Sequence, residues 1–277
     1  MKVGIIGAGR MGSMLARDAL RAGYEVLVYD PNPSLGDLRD IELADLKTLA
    51  KSADVIIIST PLQVVKEILL EIRDLVRKRS LVLDIASIKR GLEDVYKKYP
   101  DGVYVASAHP MFGYGAGTFK GYKVLVLPVK DREEGATKAK AFFELLGSKV
   151  YIVDWEEHEE MVKYTIGLPY FISVAFLLTI SPQKEKAVLY GGTSYTYLST
   201  YTQAMFVDDP SFIQELIQYS IEAISEFLEK AHAFLSAEDK EEILKKIQSF
   251  TDSEDAYRLF YKALKIMIKD NQDIYFA

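Results

Sequence analysis

Seven short apolar runs alternate with amphipathic segments through the first half of the chain, and this alternation restricts the fold more than any other feature. The runs are Val3–Ile6, Glu25–Tyr29, Val55–Ile58, Leu81–Ile85, Val103–Ala106, Lys123–Leu127 and Lys149–Val153. Each has the length and the Val, Ile, Leu or Tyr content of a buried strand. Helix-like stretches lie between them, at Arg10–Arg21, Leu43–Lys51, Gln63–Arg77, Arg90–Lys98 and Arg132–Leu146. Such alternation predicts an α/β architecture, a mostly parallel sheet covered by helices on both faces.

Beyond Val153 the pattern changes. Asp154-Trp155-Glu156-Glu157 has the spacing of a helix N-cap followed by an acid at the third helical position. Few strand-like runs follow. Phe212, Leu216, Tyr219, Ala223, Phe227 and Leu228 recur at helical spacing and predict one helix over Ser211–Phe234. Two more are expected over Asp239–Phe250 and Glu254–Lys269. The apolar stretch Tyr164–Ile180 is interrupted by Gly167 and Pro169. It is near or below the roughly 17–25 residues of a membrane-spanning helix, so it reads as a buried core helix. The change of pattern predicts two domains, residues 1–153 and residues 154–277.

Composition removes several function classes. A net charge of −6 argues against a nucleic-acid partner held by phosphate contacts. The absence of cysteine rules out disulfides, thiolate nucleophiles and cysteine metal sites, and no metal is expected. Met1-Lys2 runs directly into a strand pattern, unlike a signal peptide, so the expected setting is cytoplasmic with no membrane partner.

The first strand leads into Gly7-Ala8-Gly9-Arg10-Met11-Gly12, which opens a helix. In this context a Gly-x-Gly-x-x-Gly turn binds a dinucleotide. The first glycine makes the tight turn, the second lets the pyrophosphate approach the backbone, and the third packs helix against strand. The free N–H groups and positive end of the helix face the phosphates. The second strand ends at Asp30, placed to accept from the ribose hydroxyls and to repel a 2′-phosphate. NAD is therefore expected over NADP, with Arg10 as the one nearby group that favours the extra phosphate. Thr60 and Pro61, beyond the strand Val55–Ile58, are expected to line the same cleft.

Two further loops fall on that side, Asp84–Lys89 and Ser107–Gly113. A histidine there, His109, suits proton removal from an alcohol that gives up hydride, because imidazole titrates near neutrality. Ala86-Ser87-Ile88-Lys89 and His109-Pro110-Met111-Phe112-Gly113, with the glycine turn, resemble prephenate dehydrogenase, the tyrosine-biosynthesis enzyme. The likeness continues through Glu157-His158-Glu159 and Asp208-Asp209-Pro210.

The resemblance implies a Rossmann-type, doubly wound N-terminal domain, an all-helical substrate and dimerisation domain, and a homodimer. It implies oxidative decarboxylation of prephenate to 4-hydroxyphenylpyruvate with hydride transfer to NAD. His109 matches the family histidine at the ring hydroxyl, and Ser87 the serine that contacts both. The family arginine before the Asp-Pro turn is missing, since this stretch reads Tyr201–Val207. Lys89, Lys163, Tyr201 and Gln203 are the candidates to hold the substrate in its place. His158 reads as a helix-start histidine stabilised by its acidic neighbours. Arogenate is the alternative substrate. A 3-hydroxyacid dehydrogenase of the 6-phosphogluconate type would use Lys163, but it leaves the His109 loop unexplained and places Gly167 where an asparagine is expected. A nicotinamide-binding regulator is the non-enzyme alternative.

Overall fold

The structure is a computed structural model that describes residues 1–33 and 41–270, with the side chains of 268–270 excepted. Two compact units divide the chain, Met1–Val162 and Lys163–Ala277.

The first unit is an eight-stranded sheet in the order β3-β2-β1-β4-β5-β6-β7-β8. The strands are β1 (Lys2–Ile6), β2 (Glu25–Tyr29), β3 (Ile41–Leu43), β4 (Val55–Ile58), β5 (Leu81–Asp84), β6 (Tyr104–Pro110), β7 (Lys123–Pro128) and β8 (Lys149–Ile152). Every expected strand is present. β3 was not expected, being three residues of half-exposed or exposed edge with no periodicity to read. Every pair is parallel except β6 with β7. No α-helix lies between those two strands, so β7 must return antiparallel.

Five helices connect the strands: α1 (Arg10–Arg21), α2 (Leu46–Ser52), α3 (Leu62–Ile72), α4 (Leu92–Tyr96) and α5 (Glu134–Leu145). They cover two apolar layers, one with Met14, Leu15, Phe142 and Phe143, the other with Leu49, Val65, Leu69 and Tyr96. A sixth, α6 (Trp155–Val162), follows β8. The Asp154 carboxylate accepts from the backbone N–H of Glu156 and Glu157, as the cap spacing predicts. Trp155 Nε1 donates to the Pro128 carbonyl at 2.6 Å and fastens this helix to the end of β7. The compact unit therefore extends one helix past the expected change of pattern.

β1 pairs with β2 on one side and β4 on the other. The sheet thus grows in opposite directions from β1, and the crevice beyond the strand carboxyl ends at that reversal is where such sheets take ligands. In register, Ile6 faces Ile58, Ile58 faces Asp84, and Asp84 faces Ser107. Alternation along β6 puts His109 on the same face as Ser107.

The second unit is helical: α7 (Leu168–Ile180), α8 (Lys184–Tyr190), α9 (Thr193–Ala204), α10 (Pro210–Tyr219), α11 (Ile221–Ser236), α12 (Lys240–Ser249) and α13 (Ser253–Asp270). Two expectations need correction. The helix expected over Ser211–Phe234 is broken at Ser220, a fully buried residue whose N–H is shared by the Leu216 and Ile217 carbonyls. Apolar spacing resumes after the break, which is why the sequence reads as continuous. Nor is Tyr164–Ile180 a buried core helix. It lies in a helical run, Trp155–Tyr190, that is long and apolar enough to cross a membrane, and only 17% of its most apolar window is buried. In α7 only Tyr170 and Ser173 are buried.

Candidate active site

The glycine turn has the steric signature of a dinucleotide cradle. Gly7 has φ +99°, and a Cβ there would lie 2.4 Å from the Ser59 carbonyl oxygen. A Cβ at Gly12 would lie 1.9 Å from the Gly7 oxygen. At Gly9 a Cβ would meet nothing within 4 Å, so this glycine keeps space open above the turn. No side chain caps α1, and its first-turn N–H groups have no intrahelical acceptor. Met11 packs its side chain on the core, so only its backbone is available to a phosphate. Arg10 lies 4.7 Å from the centre of the Tyr114 ring.

Asp30 sits at this turn. Its Oδ2 accepts from the Ala8 N–H at 2.6 Å and its Oδ1 from the Asn32 N–H at 2.8 Å. The carboxylate therefore braces the glycine turn from the end of β2. Thr60 Oγ1 is buried without a partner among the described residues, and Pro61 precedes the first turn of α3. An orphaned hydroxyl, an open glycine and a bare helix start fit a bound dinucleotide.

The chemistry-bearing groups gather at the ends of β5 and β6. Asp84 is fully buried and accepts four hydrogen bonds. Tyr96 Oη (2.7 Å) and Ser107 Oγ (2.6 Å) donate to Oδ1, and the Ala86 N–H (2.9 Å) and Lys89 Nζ (2.6 Å) donate to Oδ2. Lys89 Nζ also donates to the Ala108 carbonyl at 2.6 Å. The sequence offered Lys89 as a partner for a substrate carboxylate; at only 1% exposed it is instead a buried cation inside the sheet end.

His109 is buried, and its Nδ1 lies 2.9 Å from Nε2 of His158, with the rings edge to face. The sequence reading of His158 as a helix-start histidine stabilised by its acidic neighbours is thus corrected. The acids take the solvent side of α6, and its buried side meets His109. Ser87 lies half-buried in the turn after β5, and the partner found at His109 Nδ1 is His158.

For His109 to accept a proton at Nε2, its Nδ1 must carry hydrogen and donate it to His158 Nε2. His158 then carries its own hydrogen on Nδ1, a buried atom with no partner among the described residues. Burial first, then the charges of Lys89 and His158, hold His109 well below the ordinary histidine range. Burial and Lys89 push His158 from 6.5 down to about 4, with Asp84 opposing. Both imidazoles are therefore neutral at pH 7.

Within the second unit, Lys163 Nζ pairs with Glu222 at 2.5 Å in a π-helical turn, Lys163–Gly167. Tyr201 is partly exposed, and the Gln203 amide donates to Ser199. Tyr170 donates to Asp208. Arg258 is exposed and paired with Asp255 at 2.7 Å and Glu254 at 3.9 Å. The Lys163–Glu222 and Tyr170–Asp208 pairings leave no local sequence signal, because each joins residues far apart in the chain, whereas those of Gln203 and Arg258 lie within one helix at i,i+3 or i,i+4 spacing.

The family model described as prephenate dehydrogenase, nucleotide-binding domain, matches residues 15–152. The chain belongs to the prephenate dehydrogenase family. It is 27% identical over 185 residues to a Methanocaldococcus jannaschii protein named "Probable arogenate/prephenate dehydrogenase", covering 63% of this chain and 41% of that protein. It is 25% identical over 184 residues to the T-protein of Haemophilus influenzae, covering 66% of this chain and 46% of that one. The matched stretches thus span less than half of these relatives. Prephenate dehydrogenase from Aquifex aeolicus, solved with hydroxyphenyl propionate and NAD+, shares the fold at TM-score 0.68 and 21% identity, over 90% of this chain and 96% of that one. Arogenate dehydrogenase from Synechocystis does so at TM-score 0.69 and 20% identity, over 93% and 100%. As in those family members, a mostly parallel sheet is followed by helices.

The depressed histidines make stability depend on pH with a defined sign. Below about pH 6.5 the unfolded chain binds protons that folded His158 refuses until about pH 4, so its contribution is full above 6.5 and is lost as pH falls through this window. The stability difference between the wild type and His158→Gln should shrink by about 2 kcal/mol from about pH 7 to about pH 4.5, measured by urea unfolding. A constant difference would contradict the buried, neutral assignment.

Proposed function

We propose that this chain binds NAD in its glycine turn and oxidatively decarboxylates prephenate to 4-hydroxyphenylpyruvate, with His109 as the base. The observation that carries the reading is a neutral, buried imidazole at the end of β6, its Nδ1 held by His158, on a sheet whose first turn is built for a dinucleotide. NAD would supply the hydride acceptor. The NAD+ in the Aquifex relative and the family's nucleotide-binding description support that cofactor.

The role of the chain's own residues follows from the bonds that change. As hydride leaves the ring carbinol carbon, the hydroxyl begins to become a carbonyl and its proton is shared with His109 Nε2. The ring carboxylate then departs as carbon dioxide, leaving its bonding electrons in the ring. Aromatisation returns electron density to the oxygen, which takes the proton back as a phenol. A neutral base meets that need, and a base held by a second histidine loses little orientation in the step. Ser87, in the turn beside β5, is assigned to the substrate hydroxyl. Lys163, Tyr201 and Gln203 remain the assigned substrate-holding residues of the helical unit.

Arogenate is the second reading, because relatives of both kinds match. An NADH-absorbance assay with prephenate and arogenate, each with NAD and NADP, separates the cases. The expected result is turnover of prephenate with NAD. His109→Asn should lower kcat by ~10²–10⁴-fold with NAD affinity retained. An unaltered kcat would remove His109 from the reaction, and no turnover of either substrate despite NAD binding would favour the regulator.

Asp30 provides the test of cofactor choice. Because its carboxylate also accepts the Ala8 N–H, Asp30→Asn is the informative substitution: it keeps an acceptor for the turn and removes the charge. The preference for NAD over NADP should fall roughly ten-fold, the scale of about 1.4 kcal/mol. Cofactor titration of both proteins checks it, and a parent that prefers NADP would refute the assignment.

The helical unit supports a homodimer. Leu178, Leu189, Tyr190, Leu235, Phe250 and Leu259 are each at least two-thirds exposed in the single chain. α12 buries no residue at all. Apolar faces spread over so many helices suit a second copy of the chain better than a single spanning segment. Sedimentation equilibrium should give a stable dimer at micromolar concentration. A monomer would exclude it.

A further inference from the structure

A buried lysine needs a reason. Removing two charges from water costs more than most internal pairs recover, and an apolar pair of similar volume is often at least as stable. The Asp84–Lys89 pair, with both side chains fully buried, is therefore not explained by stability. Nor is its placement symmetric. Two hydroxyls, from Tyr96 and Ser107, hold one oxygen of Asp84 on the side of α4 and β6. Lys89 takes the other oxygen and reaches past it to the carbonyl of Ala108, the residue before His109. The cation is thus tied to the strand end that carries the base.

We propose that Lys89 is a positioning residue for this site: lodged between Asp84 and the Ala108 carbonyl, it fixes the end of β6 and sets a buried positive charge beside the strand end that carries His109. This rests on the reading of His109 as the base. The titratable groups around the pair are Asp84 at the end of β5, Lys89 in the turn after it, Tyr96 on α4, and the two imidazoles on β6 and α6. Tyr96 is held well above the ordinary phenol range by burial and then by Asp84, so it is a neutral donor. Lys89 is then the one positive charge in this group. Burial is the larger cause at both histidines; the Lys89 charge adds to it at both, and Asp84 opposes it at His158. A base that must be neutral before it can accept a proton gains from a nearby fixed cation, and the same cation opposes proton uptake from solvent.

The chain has three histidines, which makes the test direct. In the full-length protein labelled with 15N-histidine, NMR titration resolves His109 and His158, with His232 exposed on α11 as a signal outside the site. In the wild type neither imidazole of the pair should take up a proton between about pH 8 and about pH 5.5. In Lys89→Met the pair should bind one proton with its midpoint raised by roughly 1–3 pH units. The acidic limb of kcat/KM for the substrate should move with it. Lys89→Arg should restore the wild-type titration. A merely structural lysine would lower the rate equally at every pH and leave the midpoint where it was, and that result overturns the proposal.

If Lys89→Met does not fold, the double variant Asp84→Asn, Lys89→Met removes both charges together. Its midpoint should still rise, by less than for the single change, and an unmoved midpoint again overturns the proposal. If the titration moves as expected while neither prephenate nor arogenate is turned over, the charge effect stands and the reaction assigned to the site falls.

Discussion

Asp84 ends β5, fully buried, with four donors around its carboxylate. Those donors come from three places: the turn that follows, which supplies the Ala86 N–H and Lys89, then α4 and β6. A carboxylate at a strand end, away from water, must recruit such donors or lose its charge. Satisfying it fixes where α4 begins to pack, how the Ala86–Lys89 turn folds back, and how far β6 extends before it leaves the sheet. His109 lies two residues beyond Ser107, so its place follows from the Asp84–Ser107 register. The same logic operates at the other end of the cleft, where Asp30 accepts the Ala8 N–H and closes the glycine turn on β2. Two acids at strand ends thus hold two local arrangements, one the glycine turn and one the strand end that carries His109.

This arrangement explains what the sequence could and could not convey. Strand and helix alternation is a local property, carried by side-chain period, and all seven expected strands appear. The glycine turn is legible because backbone sterics, not distant contacts, demand Gly7 and Gly12. His109 is legible as chemistry at a strand end. Its partner is not: His158 lies 49 residues away, and the contact depends on Trp155 anchoring α6 at Pro128. Acidic neighbours account for His158 without a distant partner, because a helix start with one buried face reads much like one with none. Lys89 misled for a related reason. A lysine in a turn is usually solvated, and nothing in Ser87-Ile88-Lys89 announces that the turn folds inward onto Asp84. The break at Ser220 escaped because its N–H still reaches the Leu216 carbonyl and its carbonyl still takes the Ile224 N–H, so the apolar pattern continues in phase.

The two units differ in how far they close on themselves. In the sheet unit both faces of the central strands are covered, and residues such as Ile56, Ile57, Val82 and Leu83 are fully buried. In the helical unit the apolar content is as high, but α11 buries only Ala223 and Ile224, and α12 buries nothing. The hydrophobic effect gives such surfaces a drive to be covered that scales with their area, at roughly 25 cal/mol per Å². A lipid phase would cover a helix that is apolar all round, yet α12 carries Glu241, Glu242 and Lys245 beside Leu244 and Ile247. Amphipathic helices of that kind bury a stripe against protein and leave the charged face in water. The tyrosine-rich segment around Tyr190–Tyr201 has the same double character, with aromatic bodies to bury and hydroxyls to satisfy. A second copy of the chain meets both demands, since each helix would supply for its partner the apolar surface it needs for itself. The contrast is physical: the sheet unit buries its own apolar surface, while the helical unit leaves whole apolar faces that packing within one chain does not cover.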